Sequence, residues 1–92
     1  MQIKNEKDAS ILMEALDITS NNRMTQYGDP KHNFQDIADL WSGYLGVDVS
    51  KKDVSLMMVL FKVAREKAAH KRDNLVDMAG YARTAAMIEG LE

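Results

Sequence analysis

A chain of 92 residues with no cysteine leaves room for one small domain and excludes disulfides and thiolate metal sites. Its formal charge of −2 argues against general nucleic-acid binding, which shows as a basic excess. At this size only roughly 60–65% of the unfolded surface can be buried, so oligomerisation is an expected source of added stability. No apolar run resembles a signal peptide or approaches the roughly 20 residues that span a bilayer, so the expectation is a single domain over residues 1–92, acting in the cytoplasm with no membrane partner.

In chain order, Asp8 or Ser10 can cap a first helix running to about Ile18, with Ile11, Leu12, Ala15 and Leu16 as its apolar stripe. Polar residues 19–23 compete for backbone hydrogen bonds and should end it. Gly28-Asp29-Pro30 then signals a second helix. Asp29 serves as its cap, and Pro30 suits the first helical position, where a missing N–H costs nothing. Phe34, Ile37, Ala38, Trp41 and Leu45 share one face of it, and Gly46 is the stop.

Ser50 and Asp53 read as a capping box opening a third helix to about Ala69. Val54, Met57, Met58, Phe61 and Ala64 form one stripe, and Leu56, Val59, Leu60 and Val63 cover most of the remainder. A helix apolar nearly all round is central or lies at an interface. The connection at residues 70–73 is short enough to force an antiparallel return, with Asp73 as the cap of a fourth helix closed by Gly90. The small residues along that helix suit close packing. The expected fold is all-α, with about four helices around a central antiparallel hairpin, forming a helical-bundle homo-oligomer through helices three and four.

The charges within that hairpin carry the chemistry. A turn centred near residue 71 sets Arg65 opposite Asp77, and Lys62 opposite Gly80 and Tyr81. Gly80 would mark the closest backbone approach, since glycine in a helix interior costs roughly 1 kcal/mol relative to alanine. Arg65 and Asp77 form either a structural ion pair or a site. In the second case Asp73 and Asp77 offer hard oxygen ligands to Mg²⁺, and Lys62 and Arg65 meet phosphates. Asp36 and Asp39 are expected to face solvent, and the Glu14-x-x-Asp17 spacing is common by chance. Before helix two, Tyr27, Asp29, His32 and Asn33 gather at a helix N-terminus, which favours an anion. Tyr27 could stack on a base, and His32 and Asn33 could read a base or ribose.

Taken together, Tyr27-Gly28-Asp29-Pro30, Asn33-Phe34, Leu40-Trp41, Lys62-Val63-Ala64-Arg65 and Asp77-Met78-Ala79-Gly80-Tyr81 resemble a family of small proteins of unknown function, encoded mainly by bacteriophages and prophages. The resemblance covers roughly residues 8–88. More distantly, the chain is similar to phage nucleotide-modification-associated domains and to MazG-type all-α NTP pyrophosphohydrolases, oligomeric bundles that bind Mg²⁺ through acidic residues on paired helices. Those enzymes carry a Glu-x-x-Glu pair followed by a Glu-x-x-Asp pair. Here the corresponding helices offer Asp36 and Asp39, then Asp73 and Asp77 at a spacing of four.

The resemblance itself implies the fold and a phage origin and brings no activity; weighed with the residues above, the leading expectation is a phage accessory protein in the host bacterial cytoplasm that binds a nucleotide or another small phosphorylated ligand. Its enzymatic form would be Mg²⁺-dependent NTP pyrophosphohydrolysis, with Asp77, Asp73 and Lys62 as catalytic groups. Tyr27, Asp29, His32, Asn33, Lys62, Arg65 and Tyr81 would then bind the nucleotide. The alternative is a non-catalytic module that sequesters nucleotides or binds proteins against host defence.

Overall fold

A computed structural model describes residues 10–22 and 28–92. Within them lie four α-helices, α1 (Ile11–Asp17), α2 (Pro30–Leu45), α3 (Lys51–Ala68) and α4 (Arg72–Ile88), with a π-helical turn, Ile18–Asn22, prolonging α1. No strand occurs among the described residues, and the fold is all-α, as the periodicity indicates.

Most helix ends follow from local chemistry. The Ser10 hydroxyl accepts from the Met13 N–H at 3.2 Å; the alternative cap, Asp8, lies outside the described residues. The Asp29 carboxylate accepts from the Lys31 N–H at 2.9 Å, ahead of Pro30. Gly46, with φ 72°, closes α2 by donating its N–H to Ser42 O at 2.9 Å. Ser50 and Asp53 form the reciprocal capping box that opens α3. At the end of α4, Gly90 N–H donates to Met87 O and Leu91 N–H to Ala86 O, a Schellman motif around a left-handed glycine.

The first helix ends as expected, its α-helical part at Asp17 with Ile18 as C-cap. Its winding continues through Asn22 because the Thr19 hydroxyl donates to Ala15 O at 2.7 Å, and the Arg83 guanidinium bridges the Thr19 and Ser20 hydroxyls. Asp73, in turn, is not the cap of α4. The helix begins two residues earlier, at Arg72, Lys71 occupies the cap position without a side-chain bond, and Asp73 is exposed in the first turn. The capping acceptor comes from α3: Glu66 Oε1 accepts from the Lys71 N–H at 3.0 Å and from Asn74 Nδ2 at 3.0 Å.

The buried centre is small, with Phe34 and Ala38 of α2 against Val54 of α3, bordered by Ile37, Trp41, Val49, Tyr81 and Ile88. Of the apolar stripes, Leu45, Met57, Phe61 and Ala64 are exposed. Because α3 is apolar on opposite sides, periodicity alone does not choose its inner face, whereas a small polar residue does. Ser55 is fully buried, and its hydroxyl donates across the hairpin to Tyr81 O at 2.6 Å, drawing α3 and α4 together there. α1 lies along α4 in the same direction. Glu14 pairs with Arg72 near the start of α4, and Thr19 meets Gly80 and Arg83 two to three turns later. No helix among the described residues is long and apolar enough to cross a membrane.

Candidate functional site

The α3–α4 hairpin sets the register of the charged residues. Lys62 Nζ lies 2.8 Å from Asp77 Oδ2, with the two side chains 20% and 32% exposed. Asp77 therefore pairs with Lys62 and not with Arg65, which corrects the expected register. The physical reason lies in the connection. Glu66 gathers His70, Lys71 and Asn74 onto one carboxylate, which tightens the turn and moves its centre towards the end of α3. These three donors, the His70 bond first, then the Lys71 N–H and the Asn74 amide, pull the Glu66 carboxyl down from 4.5 to about 2.

Arg65 is exposed, one turn beyond Lys62. Its guanidinium carbon lies 5.5 Å from the centroid of the Phe61 ring, and Lys62 Nζ lies 5.8 Å from the same centroid. Phe61 is 46% exposed, so this ring and two cations form a mixed aromatic and basic surface on α3.

Behind Asp77 lies a cavity of about 20 Å³ between the π-helical turn and α4, lined by Ile18, Thr19, Asp77, Gly80, Tyr81 and Thr84. It is the size of a single water molecule. Gly80 lines it, but the glycine does not serve the hairpin contact expected of it. A Cβ built there would meet Thr19 Cγ2 at 3.4 Å, so its neighbour is the π-helical turn, while the close α3–α4 approach belongs to Ser55. The Gly80 carbonyl accepts from the Thr84 hydroxyl at 2.9 Å.

Asp73 stands one turn before Asp77 on α4, exposed. Among the described residues no three His, Cys, Asp or Glu side chains gather to hold a metal ion. Asp36 and Asp39 are exposed as expected, Asp39 accepting from Gln35 at 2.8 Å, and Glu14 is taken up by Arg72.

The residues ahead of α2 form a separate place. Lys51 Nζ reaches Lys31 O at 3.4 Å, which ties this region to the start of α3. Lys62 is eleven residues further along α3, about 16 Å at 1.5 Å per residue. Asp29 uses its carboxylate as a cap, His32 is exposed, Asn33 is half-buried, and Tyr27 lies outside the described residues. Thus Lys62, Asp77, Tyr81 and Arg65 share the hairpin, while Asp29, His32 and Asn33 sit elsewhere.

Sequence reasoning passed over Arg83. Its Nη1 donates to Thr19 Oγ1 at 2.9 Å and Ser20 Oγ at 2.8 Å, and its Nε lies 2.7 Å from Glu92 Oε1. With Glu92 it lines a groove of about 380 Å³ between α1 and α4, walled by Leu12, Leu16, Ala79, Ala82 and Ala86. An arginine in the middle of an alanine-rich stripe was the available signal.

This geometry defines an all-α domain built on an antiparallel hairpin with a half-buried lysine–carboxylate pair. The chain belongs to the family described as Domain of unknown function (DUF6378), whose model matches residues 10–89. Its relatives include the Gene 55 protein of Mycobacterium phage D29, 49% identical over 74 residues, covering 79% of this chain and 49% of the relative. The Gene 55 protein of Mycobacterium phage L5 is 46% identical over 76 residues, covering 79% and 48%. The chain spans about half the length of these curated relatives. No solved structure gives a significant match. The phage relatives agree with the phage-encoded family that the motifs resemble.

Proposed function

We propose that this domain is a phage accessory protein that binds a small phosphorylated ligand of the nucleotide class on the α3–α4 face, within the bacterial cytoplasm. One observation carries the reading: Lys62 and Arg65 flank the exposed ring of Phe61, with Asp77 holding Lys62 in place. A base can stack on the ring while phosphate oxygens take the two cations. The Asp29, His32 and Asn33 group would be a second contact region for an extended ligand, and Tyr27 stays a candidate to stack on a base.

The MazG-type likeness expected from the motifs, which no comparison shows, would extend this proposal to hydrolysis of an NTP to NMP and pyrophosphate. Mg²⁺ is ordinarily held by one or two carboxylates together with substrate phosphates, and Asp73 and Asp77 would be the protein's share. Bound there, the ion would polarise phosphate oxygens and lower the pKa of a bound water. Asp77 is engaged by Lys62, so phosphate must first draw Lys62 away from it. That exchange makes Lys62 the residue that couples phosphate capture to release of the Asp77 carboxylate.

Calorimetric titration of linear and cyclic nucleotides, with and without Mg²⁺, tests the proposal. Arg65→Ala and Lys62→Met should each weaken binding by about 10-fold or more. Asp77→Asn should leave Lys62 to the phosphate and preserve binding while abolishing any pyrophosphate release. Wild-type protein that binds no nucleotide in either condition overturns the reading. Binding without turnover identifies a sequestering protein, which returns its ligand unchanged. The exposed apolar side of α3 favours a protein-binding role as the second reading.

A further inference from the structure

The outer face of α3 has an order of its own. Asp53, Met57, Leu60, Ala64 and Lys67 are all exposed, and they recur at spacings of four, three, four and three. This is the spacing of core positions in a heptad repeat. Leu60, 66% exposed, stands at its centre, with Met57 at 38% beside it. Lys62, on the hairpin side, faces away from the seam towards Asp77.

The seam is complementary to itself when reversed. Turned about a two-fold axis at Leu60, it sets Asp53 against Lys67 of a second copy, Met57 against Ala64, and Leu60 against Leu60. Opposite charges meet at both ends, a long side chain meets a short one, and the central leucines pack together. A parallel arrangement would instead place Asp53 against Asp53 and Lys67 against Lys67. The antiparallel alignment also sets opposite ends of the two helix dipoles together. The seam spans fifteen residues, about 21 Å from end to end.

We propose that two copies of this chain associate through an antiparallel α3–α3 coiled coil centred on Leu60. The proposal does not rest on the ligand reading: Lys62 faces Asp77 of α4, on the side of α3 away from Leu60.

Sedimentation equilibrium tests it on the full chain. The expected mass is about twice the 10.4 kDa of one chain. Leu60→Glu places two carboxylates together on the axis and should raise the dimer dissociation constant by about 100-fold or more. Its far-ultraviolet circular dichroism should stay unchanged, because Leu60 takes no part in the core. Lys67→Glu should weaken the dimer by like-charge contact with Asp53. In a chain that has no native cysteine, Leu60→Cys should give an oxidised covalent dimer, whereas Lys67→Cys should not. A monomeric wild type, a folded Leu60→Glu variant that remains dimeric, or rapid crosslinking through Lys67→Cys overturns the proposal. A monomer that captures another protein on this face also overturns it.

Discussion

Glu66 holds together more of the hairpin than any residue singled out by its sequence position. One carboxylate accepts from His70 Nδ1, from the Lys71 N–H and from Asn74 Nδ2, and its pKa falls to about 2. Because the folded carboxyl is the stronger acid, the unfolded chain binds the extra proton as pH falls below about 4.5. The contribution of Glu66 is complete above that pH and is lost as pH falls through about 2. The stability gap between wild type and Glu66→Gln, read from urea midpoints, should therefore shrink as pH falls below about 4.5 towards about 2. A gap that does not change with pH would remove the carboxylate from this role. Nothing in the sequence marked Glu66, because its three partners converge only once the turn has formed. Lys62 and Asp77 were half legible: both stood out among the charges of the hairpin, but the partnership was misassigned because register depends on where a turn centres.

Elements were legible wherever their ends are settled by neighbouring residues. Asp29 with Pro30, Ser50 with Asp53, Gly46 and Gly90 all act within a few residues of themselves, and each does what its chemistry indicates. The inner face of α3 was not legible, since Met57, Leu60 and Phe61 are as apolar as Val54 and Met58. Ser55 settles it through a contact with Tyr81, 26 residues away. Gly80 can now be judged in the same way. Its added Cβ would make an ordinary contact with Thr19, and alanine gains about 1 kcal/mol of helix propensity over glycine. Gly80→Ala should therefore raise the melting temperature by about 4–8 °C, measured by calorimetry. A fall in melting temperature would mean that the small space behind Asp77 has to remain open in the folded protein.

At the scale of the whole molecule, the described helices are joined by bonds of very different reach along the chain. Glu66 ties α3 to α4 through partners no more than eight residues away, whereas α1 is held by Glu14 to Arg72 and by Thr19 to Arg83, separations of 58 and 64 residues. Ring closure over longer stretches costs more entropy and waits for the shorter ones. The hairpin should thus assemble first and dissolve last, with α1 docking onto a surface already made. Native-state hydrogen exchange should show α1 amides opening at lower free energy than those of Val76 and Thr84 in α4. Equal protection across all of them would mean one cooperative unit. If the order holds, the Arg83 bridge to Thr19 and Ser20 is a latch that closes at the end of folding, and the groove beside it comes into being only when the latch is shut.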